Sequence, residues 1–227
     1  MQLLTNSFGV VLLLGLLGCS STGGEFGGLF PLPKITQGRL VDGQYIAKDN
    51  SFSVKTPFDK ESNEYTYMKI EEHYSDTENH IVFSSSAASA EVYRVDIYKN
   101  IKNQGPGMDT TELGKQLLSK YTETFQNAYK TNLTQQRSET ITVGPSQAVS
   151  QSFVQQIPER SDGLRKAMAF TVLHSSYFLE DGNNAAFIWI NRMSVNSDSP
   201  YKALIARSVK AEERVRQFIN SFRLNKI

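Results

Sequence analysis

The run Phe178-Leu179-Glu180-Asp181-Gly182-Asn183-Asn184-Ala185-Ala186-Phe187-Ile188-Trp189-Ile190 decides the fold. An Asp-Gly pair set among polar residues, between two apolar stretches, is a hairpin connection. Beyond it, Phe187 to Ile190 is apolar at every position. Successive side chains of a strand point to opposite faces, so this run predicts a strand covered on both.

The same grammar extends outward. Residues 146–156, 164–179 and 185–196 read as strands, with the first two joined through the turn at 158–163. Nearer the N-terminus, strands are expected at 45–47, 52–55, 67–74, 81–83 and 91–98. Residues 140–143 add a short strand before Gly144-Pro145. The period then changes. Asp109-Thr110-Thr111-Glu112 is a capping box, followed by Leu113, Leu117, Tyr121, Phe125 and Ala128 at helical spacing. Gly114 weakens that helix without overturning it. A second helix starts at Ser199-Pro200 and carries Leu204, Ile205, Val209, Val215, Phe218, Ile219 and Phe222 on one stripe. Phe222-Arg223-Leu224 is expected to close as a strand. The class is α+β, a mainly antiparallel sheet with helices packed on it, in one domain over 43–227.

Composition bounds the function. The chain has 227 residues, with 24 Lys+Arg against 23 Asp+Glu. That balance argues against a nucleic-acid partner, which calls for a basic excess. A hydrophobic fraction of 39% and a charged fraction of 21% exclude a multispanning membrane protein and a fully disordered chain. One cysteine allows no internal disulfide and no multi-cysteine zinc site.

The place of that cysteine matters more than its number. Phe8 to Leu17 is an apolar stretch of 10 residues. A membrane-spanning helix needs roughly 20, whereas a secretory apolar region runs to about 7–15. The stretch leads into Leu16-Leu17-Gly18-Cys19, which resembles the lipobox of bacterial lipoproteins. The resemblance implies a diacylglyceryl group on the Cys19 thiol and cleavage between Gly18 and Cys19. It also implies a bacterial cell envelope address: lipid-anchored, and in the outer membrane facing the periplasm if the cell has two membranes. Ser20 follows the cysteine, where an Asp would signal retention at the inner membrane. Residues 1–18 are then signal peptide, and 19–42 a Gly/Ser-rich, then Pro-containing tether.

Two further segments carry a second resemblance. Phe52-Ser53-Val54-Lys55-Thr56-Pro57 and Phe218-Ile219-Asn220-Ser221-Phe222-Arg223-Leu224 are similar to the opening strand and the closing helix-to-strand segment of PsbP-like and DcrB-like proteins. The resemblance implies an antiparallel sheet sandwiched by helices, with no enzymatic centre.

Candidate chemistry is sparse. Glu71, Glu72, His73, Asp76, Glu78 and His80 crowd together, and His73 could meet His80 across a hairpin. Their spacing matches no metal-ligand frame, so a solvated acidic hairpin is expected. His174 shares a parity with Phe170 and Val172 and reads as packed. Lys202, Arg207, Lys210, Arg214 and Arg216 read as a solvated helix face, with pairs such as Lys210–Glu213. Trp189 is read as core. No catalytic residue, metal site or cofactor is assigned. The leading expectation is a non-enzymatic, lipid-anchored envelope protein whose domain binds or supports a protein partner. The alternatives are a carrier or sensor of a small apolar ligand held between helix and sheet, and an envelope hydrolase.

Overall fold

The computed structural model describes residues 36–85, 91–101, 110–129, 133–157, 160–161, 166–167, 170–194 and 202–225. All belong to the unit Lys34–Ile227; Met1–Pro33 is a separate unit. Gly18 and Cys19 therefore lie outside the described residues, as do the capping Asp109 and Ser199-Pro200.

In chain order the elements are β1 (Arg39–Val41), β2 (Gln44–Ile46), β3 (Phe52–Lys55), α1 (Asn63–Thr66), β4 (Met68–Tyr74), β5 (Glu78–Ser85), β6 (Glu91–Tyr98), α2 (Thr110–Tyr129), β7 (Leu133–Val143), β8 (Ser146–Ile157), β9 (Arg160–Ser161), β10 (Lys166–Ala167), β11 (Phe170–Asp181), β12 (Asn184–Ser194), α3 (Lys202–Ser221) and β13 (Arg223–Leu224). Seven strands form one antiparallel sheet in the order β4-β5-β6-β12-β11-β8-β7. A smaller sheet runs β1-β2-β3-β13. The class is α+β, as the hairpin pattern predicts.

β12 lies in the middle of the large sheet, and its two parities explain its composition. Ala186, Ile188 and Ile190 join a core with Phe218 of α3, with Phe222 just after it, and with Tyr45 and Phe52 of the small sheet. Phe187 and Trp189 face α2, where the Tyr121 ring meets them at 5.8 and 5.2 Å. Full burial of one such side chain contributes about 1.5–3 kcal/mol, so a strand apolar on both faces anchors two layers at once. The two segments that carry the PsbP-like resemblance are neighbours. β3 pairs with β13 through Ser53–Arg223 and Phe52–Leu224, and the Phe52 and Phe222 rings stack at 5.6 Å.

Four expectations need correction. β7 runs from Leu133, not from residue 140, because a strand exposed on both faces carries no apolar alternation. The strand expected at 45–47 is β2, and β1, in the stretch expected as tether, precedes it and pairs with it as a hairpin. Asp42 (φ 49°) and Gly43 (φ 77°) form its two-residue turn, with both angles positive as a type I′ turn requires. Residues 166–167, expected in the strand 164–179, instead pair with β9 as a separate ribbon, and β11 begins at Phe170. The fourth concerns Arg214 in the final helix. It is not on a solvated face: its guanidinium pairs with Glu91 of β6, and Glu91 also accepts from the Tyr93 hydroxyl at 2.7 Å. Burial opposes that charge, but the Glu91 bond more than compensates and raises the Arg214 pKa.

Candidate functional site

The histidines come first, because they are the natural seats of acid–base chemistry. His73 and His80 are register partners of the β4–β5 hairpin, their rings stacked at 6.0 Å. The hairpin is less solvated than its composition suggests. His80 Nδ1 lies 2.8 Å from Asp96, which is fully buried, and Nε2 lies 3.2 Å from Glu78. Asp96 also accepts from Arg94 Nε at 2.6 Å and from Trp189 Nε1 at 3.3 Å. Burial alone would lower the His80 pKa, but the Asp96 bond and charge outweigh it and raise it. Glu72 points the other way. It accepts the Gln37 and Gly38 amides and the Tyr45 hydroxyl, fastening the start of the folded unit to β4. Among the described residues no group of three His, Cys, Asp or Glu side chains could hold a metal ion.

His174 is 1% exposed, beneath α2. Gln155 Nε2 donates to the Phe125 carbonyl at 2.8 Å, which turns its oxygen toward His174 Nε2 at 3.1 Å. Both ring nitrogens face carbonyl oxygens, and the single proton of a neutral ring serves one of them at a time. Nδ1 lies 2.9 Å from Asn191 Oδ1, which also accepts from the Tyr121 hydroxyl at 2.7 Å, and 3.4 Å from that hydroxyl. Burial depresses the His174 pKa to about 3, despite the bond that the ring donates to Asn191 Oδ1, which acts in the opposite sense. Neither serine nor carboxylate is bonded to this ring in the described network. The arrangement fixes α2 to the sheet and keeps the His174 ring away from solvent.

The concave feature lies further along α2. The helix covers only part of its sheet face, and a half-open trough of about 610 Å³ separates it from the β7 edge. Leu118, Ala148, Val149, Phe178 and Leu179 supply the apolar surface, and Lys115, Ser119, Glu123, Thr140 and Gln151 supply polar groups around it. Thr140, Val149 and Phe178 are cross-strand partners in one row. Val149 is one of three large apolar side chains exposed among the described residues, at 42%. Gly114 sets one end of the trough. A Cβ there would stand 2.5 Å from the Phe178 ring, so only glycine lets helix and strand approach this closely. The helix-weakening Gly114 was the one sequence signal of this site; Val149, Gln151, Ser138 and Thr140 gave none.

Trp189, where a ligand cavity would have favoured the carrier reading, is enclosed by Tyr121, Phe125 at 6.0 Å and the Arg94 guanidinium at 5.0 Å. No helix of the described residues is long and apolar enough to cross a membrane.

No family model matches the chain, and no curated protein does. Several solved structures are similar at low identity. A Bacteroides thetaiotaomicron protein is 11% identical over 82% of this chain, with a TM-score of 0.43; the chain spans only 50% of that protein. The cyanobacterial PsbP of Synechocystis is 9% identical, covering 86% of this chain and 99% of its own, with a TM-score of 0.41. The Ran-binding protein Mog1p of Saccharomyces cerevisiae is 10% identical, covering 82% and 96%, with a TM-score of 0.42. These likenesses concern the fold and assign no activity.

Proposed function

We propose that this chain is a lipid-anchored envelope protein whose folded unit is a non-enzymatic module that binds a protein partner in the trough beside α2. The observation that carries the binding reading is the exposed Val149 on an apolar floor, bounded by polar side chains. That is the anatomy of a protein-binding patch, with an apolar centre and a polar rim. The anchoring reading rests on Leu16-Leu17-Gly18-Cys19, with lipid on the Cys19 thiol and the bacterial cell envelope as its address, at the outer membrane facing the periplasm if the cell has two membranes. Two acyl chains on the mature N-terminus suffice for stable attachment, since each buried CH₂ contributes about 0.8 kcal/mol.

Two substitutions separate the parts. Cys19→Ala abolishes fatty-acid labelling and releases the protein from membranes; unchanged labelling contradicts the anchor. Val149→Asp abolishes the partner adduct recovered by chemical crosslinking in intact envelopes, while the circular dichroism spectrum is unchanged. An adduct that survives this charge on the trough floor contradicts the binding site.

A further inference from the structure

The trough ends at β7, and β7 is the outer strand of the seven-stranded sheet. Its residues 134–140 are all exposed. They present a row of backbone donors and acceptors on the side away from β8, with no sheet neighbour among the described residues. Such an edge is a template for another strand, and proteins usually blunt it with charges and bulges. β7 has both features, but their placement is specific. The register shift lies between Thr134 and Arg137, with Gln135 at φ 52°. Beyond it, Arg137 and Glu139 flank Ser138, and neither has an ion-pair partner among the described residues.

We propose that β7 pairs with β7 of a second copy of this chain, antiparallel and centred on Ser138. In that register Ser138 faces itself, each Arg137 faces the Glu139 of the other copy, and Gln136 faces Thr140. Residues 137 and 139 share a face of their strand, so the two opposite-charge pairs sit side by side across the two-fold axis. Directly opposed unlike charges favour a strand pair and like charges oppose it. A parallel in-register pairing would place Arg on Arg and Glu on Glu. The contact is isologous and closes after two copies, so it does not propagate into a fibre. Its ladder is short, because the bulge at Gln135 ends it on each side. It is therefore a weak contact that high local concentration promotes, and it needs no part of the partner-binding or anchoring readings.

The test uses the full-length chain in detergent, with mild oxidation and non-reducing gels. Opposed Cα atoms in an antiparallel pair are about 4.5–5.5 Å apart, within the range a disulfide spans. Ser138→Cys is expected to yield at least about fivefold more crosslinked dimer than Gln136→Cys, whose two copies would stand four residues out of register. The unsubstituted chain controls for Cys19. Adding Arg137→Glu to Ser138→Cys reduces the dimer to the Gln136→Cys level, and adding Glu139→Arg as well restores it. Equal yields from positions 138 and 136, an Arg137→Glu chain that still crosslinks, or a charge swap that fails to restore the dimer would each overturn the proposal.

Discussion

β12 and β7 belong to one sheet and have the same length, 11 residues each, yet they are opposites. From Ala185 to Ile190 β12 is buried at every position, whereas β7 is exposed at every position from Thr134 to Thr140. The first is held between α2 on one face and α3 with the small sheet on the other. The second stands at the rim, where the core reaches only its last residues, Ile141 and Val143. The difference separates two duties. β12 ties the layers together and has no surface left for a ligand. The β7 side, with the trough that opens beside it, presents side chains such as Val149, Arg137 and Glu139 to solvent.

Substitutions should break this comparison unevenly. Trp189→Ala removes a large side chain from beneath α2 and should cost about 3–5 kcal/mol, read from urea unfolding. Gly114→Ala forces a methyl against the Phe178 ring; overpacking of that kind typically costs about 1–3 kcal/mol and should also reshape the trough. Gln136→Ala on β7 should stay within about 0.5 kcal/mol of the parent. A β7 substitution as costly as Trp189→Ala would erase the distinction between frame and rim.

The buried His174 and the part-buried His80 sharpen it through pH. The folded pKa of His174 is depressed to about 3 from an ordinary value of 6.5. Its contribution is therefore present above pH 6.5 and is lost as pH falls from 6.5 toward 3. His174→Gln should flatten the decline of the urea midpoint in that interval. The His80 pKa is raised, so its contribution is present below pH 6.5 and is lost as pH climbs through the higher folded value. His80→Gln should remove a gain in stability on acidification just above pH 6.5. A pH profile unchanged by either substitution would contradict the buried networks described.

What the sequence revealed follows the same division. Phe187-Ile188-Trp189-Ile190 announces β12 because burial on both faces demands apolar residues at both parities. Leu113, Leu117, Tyr121 and Phe125 announce α2 because one helix face is dry. By contrast, Thr134-Gln135-Gln136-Arg137-Ser138-Glu139 reads as loop, since a rim strand needs no apolar pattern and its ladder to β8 is made by the backbone. β1–β2 did leave a mark, Asp42-Gly43, but its flanking strands are only 3 residues each, too short to show alternation. The Arg214–Glu91 pair was illegible for another reason: the partners are 123 positions apart, and local spacing suggested intrahelical neighbours instead. The trough is made by three strands and a helix brought together only by folding, so Gly114 was its single trace.

Two exposed valines permit the most direct test of the binding claim. Val149 lies on the trough floor at 42% exposure, and Val41 lies in β1 of the small sheet at 52%. A photo-crosslinking residue placed at either position in the full-length chain, and illuminated in intact envelopes, samples the two surfaces under the same conditions. The account predicts a discrete adduct with a different protein from position 149 and none from position 41. No adduct from position 149, or the same adduct from both, would contradict it.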